Sequence, residues 1–149
     1  MKSIKTYLAL VFLVTFAVGC GGSASPTRER FISDLKSVFE LLDTGKFEQA
    51  ADYFKAPDEV SKEEIAKDLR RFTERDEISS EGIGILEKNG SFGKLKEIFP
   101  ERGPMWVERN EITSAEDCYA MSYKGAEVAA LWEGSKFVFF RMDDIGKLH

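Results

Sequence analysis

A chain of 149 residues with 21 basic and 26 acidic side chains is acidic overall, which argues against general nucleic-acid binding, since that affinity is largely phosphate neutralisation. Its one histidine is His149, the last residue, so histidine-dependent nucleophilic catalysis and histidine metal sites are excluded as expectations. The two cysteines, Cys20 and Cys118, form no zinc-spaced pair, and no phosphate-binding or dinucleotide glycine motif occurs. No metal and no cofactor is therefore expected.

The N-terminus carries Lys2 and Lys5 and no acid, followed by an uncharged apolar run from Tyr7 to Val18. A membrane-spanning helix needs about 20 apolar residues, so this run reads as a secretory signal instead. The four residues "AVGC", 17 to 20, narrow the reading, because they resemble the bacterial lipobox. The resemblance implies that residues 1–19 are removed and that Cys20 becomes the diacylated N-terminus, a palmitate-type anchor in the membrane. Ala17 stands where that motif most often has leucine. Two or three acyl chains hold a protein firmly where one does not. Gly21 occupies the position at which inner-membrane retention usually has Asp, so an outer membrane, facing the periplasm, is the expected address where the cell has one. Loss of the two lysines leaves the mature chain near −7. Residues 20–27 then read as lipidated cysteine and flexible tether, and residues 28–149 as one domain, in line with an ordinary domain length of about 100–200 residues. Cys118 is left without a disulfide partner and is expected to be buried and inert.

Periodicity predicts helices through the first half. Phe31, Leu35, Val38 and Leu42, widened by Ile32 and Phe39, form one apolar stripe, with Gly45 placed to end it. Phe47, Ala50, Ala51 and Phe54 make a second short face, closed by Pro57. "SKEE", 61 to 64, is a capping box that opens a helix over about 62–75, with Ile65, Leu69 and Phe72 on one side. Residues 79–90 fit helix or strand. Ser91 to Phe99 is predicted as a last helix, with Phe92, Leu95 and Phe99 inward and Pro100 ending it.

The second half is predicted as strands over 106–112, 118–123, 127–133 and 136–142, from their aromatic and β-branched content. Gly134-Ser135 is a two-residue hairpin signal. Counting outward pairs Glu133 with Lys136, Trp132 with Phe137, Leu131 with Val138, Ala130 with Phe139, and Ala129 with Phe140. Both faces of that hairpin are apolar, whereas a sheet with one wet side would alternate. Either helices wrap both sides, or the second face is covered by a curl around a pocket, a second subunit or a partner.

Helices first and an antiparallel meander last define an α+β order. "LLDTGKFEQAADYF", 41 to 54, carries the Gly, aromatic and Ala marks of a tetratricopeptide hairpin, but nothing recurs at 34 residues, where Gly45 maps to Ser79. The same stretch resembles the NTF2-like (cystatin-like) superfamily over residues 28–142. That resemblance implies N-terminal helices packed on a C-terminal curved meander. It also implies an alternative function, a small histidine-free isomerase or dehydratase working with an acid and a phenol, for which Tyr119, Tyr123 and Asp143 are the candidates. The preferred expectation is a non-enzymatic, membrane-anchored envelope lipoprotein. Its domain would bind a protein partner, a second copy of itself or an apolar small molecule through Trp106, Tyr119, Tyr123, Trp132, Phe137 and Phe139, since aromatics are enriched in pockets and interfaces.

Overall fold

Among the described residues four helices precede the sheet, and their boundaries follow from local chemistry. A computed structural model describes residues 24–75 and 80–149; the signal and lipobox, Cys20 included, lie outside these residues. Helix α1 (Arg28–Asp43) starts at Thr27, whose hydroxyl accepts from the Arg30 N–H at 3.1 Å, and the predicted stripe is buried along its length. Gly45, at φ +71°, ends it where the sequence predicts. Helix α2 (Phe47–Ala51) is one short turn that buries Ala50 and Ala51. In α3 (Lys62–Glu74) both halves of the capping box form: the Ser61 hydroxyl accepts from the Glu64 N–H, and the Glu64 carboxylate accepts from the Ser61 N–H. Only Ala66 and Leu69 are buried in α3, and Phe72 stays 42% exposed. Within the ambiguous 79–90 stretch, Ser80–Asn89 is helix α4, and residue 79 lies outside the described residues. Among the described residues no helix is long and apolar enough to cross a membrane.

Two predicted elements change identity. Ser91 to Phe99 is not one helix: Ser91–Lys94 is strand β1, and only Leu95–Ile98 is helical (α5). Phe92 sits opposite Met121 in strand β2 (Cys118–Tyr123), and its ring packs edge-on to Phe31 at 5.4 Å and stacks on Tyr119. Pairing with a strand some thirty residues away overrides the local helical spacing. The predicted strand over 106–112 is instead helix α6 (Gly103–Arg109). Pro104 stands in its first turn, where a missing N–H costs nothing.

Strands β2 (Cys118–Tyr123), β3 (Ala126–Trp132) and β4 (Phe137–Asp143) complete an antiparallel sheet in the order β1-β2-β3-β4. The hairpin register agrees for three pairs, Trp132 with Phe137, Leu131 with Val138 and Ala130 with Phe139. It fails at the outermost, because a bulge makes Ala129 face Arg141 and leaves Phe140 as the extra residue. Paired residues share a face, so the extra residue moves Arg141 off the Ala130 side and onto the Ala129 side.

Helices cover both faces of the sheet. On the Ala130 side, Phe31 of α1 makes edge-on contacts with Phe92, Phe137 and Phe139 at 5.0–5.4 Å, inside a core shared by α1 to α4. On the Ala129 side, α5 and α6 bring Leu95, Phe99 and Trp106 over Cys118, Ala120 and Ala129. Asp34, only 4% exposed, ties α1 to the sheet: its carboxylate accepts from the buried Phe137 N–H at 2.9 Å and pairs with Arg30 at 3.0 Å.

Two predictions follow from close contacts. A Cβ at Gly82 would lie 2.0 Å from the Ile145 carbonyl oxygen, whereas one at Gly84 meets nothing within 4 Å. Gly82→Ala is expected to destabilise by about 1–3 kcal/mol, and Gly84→Ala to stabilise by about 0.5–1 kcal/mol, in urea titrations. Loss of the Asp34 acceptor strands a buried N–H, so Asp34→Ala costs about 1–3 kcal/mol, and Asp34→Asn, which keeps an acceptor, costs less. Equal losses for the two Asp34 variants would assign the effect to charge instead.

Candidate functional site: a groove along the edge of strand β4

β4 ends the sheet, and the chain itself covers part of its free edge. After α2, residues 53–55 run extended beside Phe139: the Phe139 N–H donates to the Tyr53 carbonyl at 2.6 Å and the Lys55 N–H donates to the Phe139 carbonyl at 2.8 Å. This segment is parallel to β4 and leaves it at Ala56 and Pro57. α3 then passes alongside, and between it and the rest of the edge lies an open groove of about 790 Å³. Ile65, Leu69 and Phe72 line its helical wall, Phe54 and Val60 its near end, and Phe140 to Asp143 its strand wall.

Charge is present along the lining but is tied down. Lys55 reaches Asp58 at 3.5 Å, Lys147 reaches Asp144 at 2.6 Å, and Arg141 donates to Asp143 at 2.6 Å and to Glu127 at 3.1 Å. Glu127 is only 8% exposed and also accepts from Arg102. Arg141 and Arg102 both lie over the Trp106 ring, at 4.8 and 5.4 Å from its centre. Directly opposed Glu127 and Asp143 would repel across the ladder, and the bulge sets Arg141 between them.

The six aromatics expected to form one surface are divided by the sheet. Phe137 and Phe139 are fully buried beneath α1, and Trp106 is buried on the opposite face. Tyr119, Tyr123 and Trp132 are half-buried around the main core: Tyr119 packs edge-on to Phe137 at 5.7 Å and holds the Lys94 ammonium 4.1 Å above its ring, and Trp132 lies 4.9 Å from Phe137. None of the six lines the groove. Trp106, Phe137 and Phe139 fill the space between the sheet and its helices, while Tyr119, Tyr123 and Trp132 keep part of their surface exposed. The acid-and-phenol set is not assembled either. Tyr119 and Tyr123 stand on the Ala130 side, while Asp143 pairs with Glu127 on the other side and lines the groove.

Of the residues that build the groove, Ile65, Leu69 and Phe72 share the helix side that their spacing predicts, but nothing in the sequence marks them, Phe140 or Arg141 as one site. The one legible signal is Phe72, an aromatic on a helix whose buried residues, Ala66 and Leu69, do not account for it. Among the described residues no group of three His, Cys, Asp or Glu side chains could hold a metal ion. The chain matches no protein-family model, no curated protein and no solved structure.

Cys118 is buried in the second core, where burial chiefly, with help from the Asp117 charge, pushes its thiol up to about 11. At pH 8 a disulfide reagent is expected to modify it about a hundredfold more slowly than in the urea-unfolded chain. Below pH 9 both states keep the proton. Above it the unfolded chain ionises first, so stability falls between pH 9 and about 11. Cys118→Ala is expected to flatten that alkaline loss, and an unchanged pH profile would show that the thiol does not contribute.

Proposed function

We propose that this protein is a lipid-anchored binding protein of the cell envelope, tethered through Cys20 and working without catalysis. The observation that carries the binding half is the open groove beside β4. It combines an apolar wall with ion-paired charges, and among the described residues it contains no tyrosine to partner its carboxylates. An acid-and-phenol enzyme needs both groups in one enclosed site, so the geometry favours holding a ligand over converting one. The anchoring half rests on the "AVGC" lipobox and the short apolar run before it. The order of a long helix, a Gly45-x-Phe47-x-x-Ala50 step, further helices and a terminal meander supports an NTF2-like reading of the domain. An outer-membrane address facing the periplasm follows from Gly21, where the cell has such a membrane.

The anchor is tested on the full chain expressed in a bacterium and fed radiolabelled palmitate. Label is expected in the wild type and absent from Cys20→Ser, with the wild type in the membrane fraction and the variant retaining residues 1–19. An intact mass equal to unmodified residues 20–149 would overturn the lipid anchor.

A further inference from the structure

We propose that the groove accepts an extended polypeptide segment of a partner protein, which adds to the free edge of β4 and seats an apolar side chain against α3. This rests on reading the groove as the binding site of the domain. The first argument is continuity. The chain already seats an extended segment on this edge, residues 53–55 beside Phe139, through two backbone hydrogen bonds. That segment departs at Pro57, while β4 runs on to Asp143 as the last strand of the sheet. The groove begins where the internal segment leaves.

The second argument is which part of β4 faces the groove. Phe140, Arg141, Met142 and Asp143 all line it. Met142 pairs with Val128, and Arg141 and Asp143 pair with Ala129 and Glu127, so these side chains point to opposite faces of the sheet. Residues from both faces border one groove only where the strand presents its edge to it. The bulge at Phe140 disturbs the edge locally, but pairing is regular again from Arg141 to Asp143. Among the described residues, the Met142 N–H and C=O, turned away from β3, are left without a neighbouring strand, the template for strand addition.

The third argument separates a polypeptide from an acyl chain. Ile65, Leu69 and Phe72 offer an apolar seat on the helical wall, and Phe54, Val60, Phe140 and Met142 border it elsewhere. Lys55, Asp68, Arg75 and Arg141 lie on the same lining. An acyl chain would strip water from those charges and return no hydrogen bond. A peptide buries alternate apolar side chains against α3 and meets the strand wall with its own amides.

The test uses the full lipidated chain in dodecyl maltoside micelles and a phage-displayed library of random octapeptides. Enriched peptides are synthesised with N-methyl groups on alternate backbone nitrogens. Methylating one alternate set is expected to weaken binding at least about tenfold, because it removes ladder donors, while the other set is tolerated. Bound peptide is expected to slow amide exchange at Met142, whose N–H points away from β3. Phe72→Asp, at an exposed position, is expected to keep the circular dichroism spectrum and to lose at least about tenfold in affinity. Peptides that bind with no alternation in N-methyl sensitivity would overturn strand addition. Failure to enrich any peptide, with palmitate binding that Phe72→Asp abolishes, would overturn the polypeptide occupant and leave the groove as a binding site. If neither peptide nor palmitate binds, the strand-addition proposal and the groove reading both fall.

Discussion

The fold depends on the seating of α1 across the sheet. Phe31 places one ring against Phe92 of β1 and against Phe137 and Phe139 of β4, so a single side chain touches both outer strands. Three residues further along the same helix, Asp34 accepts the N–H of Phe137. A carboxylate buried to this degree is tolerated because Arg30, one turn back, supplies the counter-charge and the sheet supplies a donor. The aromatic contact provides most of the burial, and the carboxylate sets where along β4 the helix sits. Sliding α1 by one residue would carry Asp34, with Arg30 still beside it on the same helix, away from β4 and leave the Phe137 N–H without its acceptor.

The bulge at Phe140 is the second constraint, and it works on the other face. Without it Arg141 would share the Ala130 side and would have to be buried under α1. With it, Arg141 joins Glu127, Asp143 and Trp106 under α6. The apolar second face is thereby closed at one end by an ion-paired, aromatic-capped border instead of running on unprotected. The same extra residue places Phe140 on the groove wall. One insertion in the ladder sets both the polar border of the second core and one apolar wall of the groove.

What was legible in the chain was what neighbouring residues decide. The α1 stripe, the Ser61–Glu64 box and the turn at Gly134 each depend on residues within a turn or two, and each forms as read. The α+β order and three hairpin pairs followed from the same local signals. What was not legible depends on partners far along the chain. Phe92 has helical spacing, yet β1 exists because β2 pairs with it. Trp106, Val107 and Ile112 have strand-like composition, yet Pro104 in the first turn and the packing of Phe99 on Trp106 at 4.9 Å make the segment a helix. Pro104 was the available clue. The bulge has no local mark, because Phe139 and Phe140 are alike to any reading of composition. The candidate site was the least legible feature: its walls come from residues near 54–60, 65–72 and 140–147, three stretches that only the fold brings together.

The aromatic residues show why composition alone did not point to the groove. Aromatics fill cores as readily as they line interfaces, and a sheet with helices on both faces needs them as filling. Phe137 and Phe139 are spent in that way. Phe72 is not: it stands 42% exposed on a helix whose neighbours are charged, beside a strand edge that has no neighbouring strand beyond Phe139 among the described residues. An exposed aromatic carries a cost in water that nothing within the fold offsets, and an unpaired strand edge carries a hazard of wrong pairing. Both occur on one groove, on a domain with no assembled catalytic set among its described residues. A ligand that covers the ring and pairs the edge removes both costs at once, and a polypeptide strand is the chemical form that does so.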